Sequence, residues 1–248
     1  MWSALEAPPR EEPLAYRRQV LPVYAITPFS MLDFPDRIAC IVWFSGCNMR
    51  CSYCHNPQIV RSKGKKDERA VFSFLEKRQG LLDGVVLSGG EATSYPGVID
   101  FAFQIKNMGF ALKLDTNGLR PDVIERLLEG KLLDYVALDY KASPGKFKTV
   151  TGVDKYSAFE RSLEMLLSQS QVPFEVRTTV HTTFLYENDV ADIIEDLDKR
   201  GYSGHYYLQN FCYDNHRPTL GFLEAQERIL NTQELPEPHN YSVLLRNF

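Results

Sequence analysis

WFSGCNMRCSYCHNP, residues 43–57, grows out of the apolar run 38–44 and carries three of the chain's five cysteines, Cys47, Cys51 and Cys54. Their C-x3-C-x2-C spacing sets three thiolates in one tight loop. A 4Fe-4S cluster ordinarily takes four cysteine ligands, so three from one loop leave one iron open to a substrate or cofactor. Structural zinc is the competing reading. Zinc favours four protein ligands in paired spacings, however, and no second pair stands downstream. Cys40, inside the apolar run, reads as a small buried hydrophobe.

Outward from this loop, short apolar or β-branched runs alternate with segments of helical period. Strands are predicted near residues 38–44, 84–87, 110–115, 135–138, 174–180 and 205–209, each suited to a buried parallel sheet. Between them Val123, Ile124, Leu127 and Leu128 share one helical face, as do Phe159, Leu163, Leu166 and Leu167, and then Val190, Ile193, Ile194 and Leu197. Pro121 opens a helix, and Gly109, Gly130 and Gly201 follow helical segments as stops. Six βα units are too few for a closed eight-stranded barrel, so the expected fold is α/β, a partial (β/α)6 TIM-like barrel.

The chain has 248 residues, 44% hydrophobic, enough for one sizeable core. Its net charge of -4 gives no basic field for nucleic acid. The basic run 61–69 reads as a solvated loop. No stretch has the length of a membrane span, and the first residues lack a signal-peptide core. An odd cysteine count with three clustered fits a reducing compartment, so the expected location is cytoplasmic. Residues 1–20, rich in proline, read as an extended or disordered arm, and 21–248 as one catalytic core with an extension from about 213. Within that extension, 222–230 has helical character.

Further blocks stand at rim positions: SGGEAT at 88–93, LDTNG at 114–118, ALDYK at 137–141 and VRTTV at 176–180. With the cysteine triplet they resemble the radical S-adenosylmethionine (SAM) superfamily, and within it the glycyl-radical enzyme activating enzymes. The resemblance covers about residues 24–211 and is nearest to the activating proteins of anaerobic ribonucleotide reductase. It implies the radical SAM type of partial barrel, a 4Fe-4S cluster on Cys47, Cys51 and Cys54, and SAM chelating the open iron. The cysteines, SGGE, DTN and DYK fall at or just past the ends of predicted strands and Arg177 on the fifth strand itself, toward the rim where barrel enzymes keep their functional groups.

The resemblance also implies site roles. Gly89 and Gly90 let backbone approach the methionyl end, and Glu91 holds the loop or meets the ammonium group. Asp115, Thr116 and Asn117 face the ribose and sulfonium, with capping of the turn before Pro121 the competing role. Asp139 and Lys141 flank Tyr140, so both can face one side, with Lys141 on the SAM carboxylate and a rim salt bridge as its rival. Tyr53 and His55 face adenine, although a lone His is commonly structural. Arg177 needs an anionic partner, either the cofactor or a buried carboxylate. Gln209 or Asn210 would supply a contact at the rim of the sixth strand, because Cys212 stands where the formate-lyase activase has a SAM-contacting histidine. By the same likeness, Asp115, Thr116, the Ala137 carbonyl and Asp139 would surround a monovalent cation.

The implied reaction is reductive cleavage of SAM to methionine and a 5'-deoxyadenosyl radical, which takes hydrogen from a glycine of a partner enzyme. Anaerobic ribonucleotide reductase is the first expected partner, reduced flavodoxin or ferredoxin the expected electron donor. Alternatives are an activase for a pyruvate formate-lyase type of enzyme, a small-molecule radical SAM enzyme such as the deazaguanine synthase class, and, outside enzymes, a metal-stabilised interaction module. Neither nucleic acid nor membrane is an expected partner.

Overall fold

A computed structural model describes residues 20–248. The arm expected over 1–20 lies outside them except for Val20, which begins a strand. The strands are β1 (Val20–Ser30), β2 (Ala39–Phe44), β3 (Lys66–Asp67), β4 (Gly84–Gly89), β5 (Ala111–Thr116), β6 (Tyr135–Asp139), β7 (Phe174–Val180), β8 (His205–Asn210) and β9 (Ser242–Arg246). They form one sheet in the order β3-β1-β2-β4-β5-β6-β7-β8-β9. From β2 to β9 every pairing is parallel, while β1 runs antiparallel between β2 and β3. The terminal strands do not pair with each other. The barrel is therefore partial and open, as expected.

Among the described residues seven α-helices connect the strands: α1 (Pro57–Arg61), α2 (Glu68–Glu76), α3 (Val98–Asn107), α4 (Pro121–Glu129), α5 (Pro144–Thr151), α6 (Tyr156–Ser168) and α7 (Glu187–Lys199). The expected apolar stripes on α4, α6 and α7 are buried, with Ile124, Leu127, Phe159, Leu163, Leu166, Ile193 and Leu197 fully inaccessible. They pack on the outward residues of the sheet, among them Leu112, Leu114, Val136, Leu138 and Val176. Burying each such side chain contributes roughly 1.5–3 kcal/mol. None of the described helices is long and apolar enough to cross a membrane.

Three elements differ from expectation. β1, nearly all of it past the arm expected over 1–20, is a strand for which no expectation stood; its Pro22 falls in the break of register between Val20 and Val23 against β3, and its Pro28 in the one between Thr27 and Ser30 against β2. The basic run is not only a loop: Lys66–Asp67 forms β3, and Asp67 accepts from the Ala70 N–H at 2.7 Å to cap α2. Residues 222–230 are not helical. Phe222 takes a positive φ of 55°, and the Gln226 side-chain amide ties the segment to the barrel, accepting from the Thr182 N–H and donating to Asn210 Oδ1.

The inward face of the sheet changes character along the strands. At their N-terminal end Phe34 closes the barrel against Ala39, Ile41, Val86 and Ala111. Toward the C-terminal end the inward face turns charged. Pairing brings Asp115 beside Ala137, Ala137 beside Glu175, and Asp139 beside Arg177. Alternation along each strand puts Lys113 below Asp115 and Glu175 below Arg177 on that same face.

Candidate active site

The loop after β2 presents Cys47, Cys51 and Cys54 to a cleft of about 220 Å³ at the C-terminal ends of the parallel strands. Its walls also include Tyr53, His55, Gly89, Gly90, Asp115, Thr116, Asn117, Asp139, Lys141 and Arg177. These side chains, scattered over the first three-quarters of the sequence, meet in one place because each follows or ends a neighbouring strand. A larger hollow of about 500 Å³, lined by Glu68, Phe72 and Gln104 among others, contains none of these groups. Chemistry rather than size identifies the site.

The cysteine loop is built against the next strand by backbone. Gly90 N–H donates to the Phe44 carbonyl at 2.8 Å, and Glu91 N–H to the Gly46 carbonyl at 2.9 Å. A Cβ on Gly90 would lie 1.8 Å from the Gly46 oxygen, and one on Gly89, where φ is +115°, 2.5 Å from the Phe44 nitrogen. Only glycine permits this approach. Glu91 is buried, and its carboxylate accepts from Thr93 N–H and Oγ1, Thr116 Oγ1 and Asn117 N–H. Burial pushes this carboxyl up against the opposing pull of the four hydrogen bonds. Glu91 therefore holds the turns after β4 and β5 together, and it does not line the cleft.

The donor set fits a 4Fe-4S cluster. All three thiols are free and supplied by one loop. The Met49 N–H points at Cys47 Sγ at 3.4 Å and the Asn117 amide at 3.8 Å, contacts of the kind that tune a thiolate ligand. Burial pushes Cys47 up to about 12 and Cys51 to about 11. Burial therefore favours the protonated form of Cys47 and Cys51, and a metal bound there would displace those protons.

Beside the loop lies a chain of charges. Lys141 Nζ is 3.0 Å from Asp139 Oδ2, and Arg177 Nε is 3.0 Å from Asp139 Oδ1. Arg177 also reaches Asp115 Oδ2 at 3.5 Å, while Lys113 Nζ meets Asp115 Oδ1 at 2.7 Å. Burial alone would raise both aspartates; Arg177, with Lys113 for Asp115 and Lys141 for Asp139, holds them below the usual carboxylate range. Both rival readings from sequence are present in the geometry: Lys141 makes a rim ion pair, and Arg177 finds buried carboxylates.

The aromatic wall is mixed. His55 stacks on Phe211 with ring centres 4.5 Å apart and planes 12° from parallel, and burial pulls its imidazole pKa down. The Tyr53 ring packs 6.3 Å from Phe184, and its buried hydroxyl has no hydrogen-bond partner among the described residues. Gln209 is not brought to the cleft, and Asn210 is tied to Gln226. Cys212 is exposed and off the wall. Ser88, Thr179, Met49 and Asn56 line the cleft without having been singled out from the sequence. Thr179 was findable, two residues beyond Arg177 on the same face.

Comparison with known proteins agrees with this geometry. A model of the Radical SAM superfamily matches residues 41–199. A protein of Methanocaldococcus jannaschii, described as a candidate glycyl-radical enzyme activating enzyme, is 34% identical over 185 residues, 71% of this chain and 76% of that one. The pyruvate formate-lyase-activating enzyme of Streptococcus mutans is 32% identical over 187 residues, 70% and 68% of the two chains. Among solved structures, anSMEcpe with bound AdoMet superposes with a TM-score of 0.54 at 20% identity, covering 68% of this chain. Streptococcus suis SuiB with its precursor peptide SuiA gives 0.58 at 12%, covering 69%. This chain spans 49% and 39% of those two chains, and at such identities they show the fold alone. The chain belongs to the radical SAM superfamily and, within it, to the glycyl-radical enzyme activating enzymes.

Proposed function

We propose that Cys47, Cys51 and Cys54 hold a 4Fe-4S cluster, that SAM occupies the adjoining cleft, and that the protein generates a glycyl radical on anaerobic ribonucleotide reductase. One observation carries the reading: three free cysteines share a cleft with Lys141, Arg177, Asp115 and Asp139 at the C-terminal ends of parallel strands. When bound, cluster and SAM together supply a one-electron reductive cleavage that yields a radical able to take hydrogen from glycine.

The chain's own residues bind and orient. Lys141 offers its ammonium to the methionyl carboxylate, a charge-assisted contact, while Asp139 keeps that ammonium charged. Arg177 bridges Asp115 and Asp139 and so fixes the floor on which the ligand lies. Gly89 and Gly90 present backbone to the methionyl end, Asn117 and Asp115 polar atoms to the ribose, and Tyr53 and His55 a flat wall for adenine. Thr116 and Glu91 support the turns beneath. Residues 21–248 act as one catalytic unit whose segment after about 213 braces the cysteine loop. A low-potential donor such as flavodoxin or ferredoxin supplies the electron.

The likeness of the sequence blocks supports the reductase as partner. The Streptococcus mutans relative favours a second reading, a pyruvate formate-lyase type of partner. The test is anaerobic incubation of the cluster-loaded protein with SAM, reductant and each candidate in turn, watched by electron paramagnetic resonance. A glycine-centred radical on the reductase is expected. A radical on the formate-lyase alone transfers the reading to that partner, and a radical on neither overturns both.

A further inference from the structure

The side-chain oxygens that a monovalent cation would need beside the cleft are already engaged by the chain itself. Asp115 Oδ1 accepts from Lys113 at 2.7 Å and Oδ2 from Ser88 Oγ at 3.0 Å. Asp139 Oδ1 and Oδ2 accept from Arg177 and Lys141, each at 3.0 Å. Thr116 Oγ1 donates to Glu91 at 2.9 Å and accepts from the Gly118 N–H at 3.1 Å. Ala137 is held in the ladder between Asp115 and Glu175. This donor set does not fit a free cation.

Two of these partners belong to a deeper layer. Lys113 and Glu175 have side chains 3% and 4% exposed, and their charges lie 3.9 Å apart. Glu175 also stands 3.8 Å from Arg177 and accepts from the Tyr135 hydroxyl at 3.2 Å. The layer and the cleft wall together hold three carboxylates, Asp115, Asp139 and Glu175, against three cations, Lys113, Lys141 and Arg177. A buried carboxylate pair of this kind stays ionised only beside compensating positive charge. Lys141 and Arg177 face the cleft, where an anionic ligand group draws on them. Lys113 does not line it, so no ligand competes for its ammonium.

We propose that Lys113 is a built-in counter-cation: its ammonium, anchored by Asp115 and Glu175, takes the place of a bound monovalent ion under the SAM site. Lys113 and Glu175 are positioning residues, acting through Asp115 and Arg177, and SAM binding here is independent of the alkali cation supplied. The inference rests on SAM occupying this cleft.

The test is equilibrium dialysis of SAM against the cluster-loaded protein in potassium chloride and in tetramethylammonium chloride of equal ionic strength, with iron content measured alongside. The native protein is expected to bind SAM within twofold in the two salts. Lys113→Met is expected to bind at least tenfold more weakly in tetramethylammonium and to recover in potassium, whereas Lys113→Arg keeps the native behaviour. A native affinity that falls tenfold without potassium overturns the proposal, as does a cluster-loaded Lys113→Met protein that binds normally in both salts. If Lys113→Met does not load the cluster, the native salt comparison decides. Absence of SAM binding in every salt, with the cluster intact, overturns the SAM reading itself.

Discussion

Cys40 and Cys51 are both buried thiols, and their surroundings separate them. Cys40 is fully enclosed in β2, and burial pushes its thiol up to about 12. Cys51 faces the cleft with Cys47 and Cys54. Replacing any of these three by Ala is expected to abolish cluster loading, read as iron, sulfide and visible absorption, whereas Cys40→Ala keeps it. A normal cluster in Cys51→Ala contradicts the ligand assignment. Lys141→Ala is a second test at this scale. It removes one charge-assisted contact, worth about 2 kcal/mol, so SAM affinity falls roughly thirtyfold while the cluster spectrum stays native. Unchanged affinity would remove Lys141 from the ligand site.

Strands β2 and β4–β8 were legible because each is an apolar or β-branched run of the right length between turn residues. Their chemistry was legible only at the ends. Lys113 in ALKLDT and Glu175 in FEVRTT are lone charges inside apolar runs, and a charge there, two residues from another on the same face, signals a polar interior. β1 escaped because two prolines and two breaks in its register with β2 interrupt the strand pattern, and β9 because SVLLR follows a proline-containing stretch and gains its partner only through long-range pairing with β8. The stripe at 222–230 misled because a helix that short needs packing to persist, and Phe222 and Ile229 are 69% and 57% exposed. The extended tail has its own task. Leu220 N–H donates to the Cys54 carbonyl at 3.0 Å and Gly221 N–H to the Ser52 carbonyl at 2.8 Å. A Cβ on Gly221 would stand 2.6 Å from Ser52 Cβ. Gly221→Val should therefore loosen the cysteine loop and speed iron loss to a chelator severalfold. Iron loss at the native rate would free the tail from that role.

For the whole molecule, the charged interior ties stability to pH. Asp115 and Asp139 are held below their ordinary 3.8, so the unfolded chain binds protons more readily than the folded one. Their contribution is complete above that value and is lost as pH falls through the lower folded values. Glu91, raised above 4.5 by burial, runs the other way: its contribution is present below 4.5 and is lost as pH rises through its higher folded value. The aspartates' contribution is expected to lower the urea midpoint of the cluster-free protein as pH drops from about 5 to about 3. Asp139→Asn should flatten that fall, and an equally steep fall in the variant would assign acid sensitivity elsewhere.

The open sheet leaves β3 and β9 unjoined, and the proposed function has a partner's glycine reach the cysteine rim. Deuterium placed on the target glycine of anaerobic ribonucleotide reductase tests the radical activase reading directly. The account predicts that deuterium appears in 5'-deoxyadenosine in step with the glycyl radical, and that Cys51→Ala abolishes both. 5'-Deoxyadenosine that forms with no deuterium from any candidate partner protein, and with no radical on one, would contradict it.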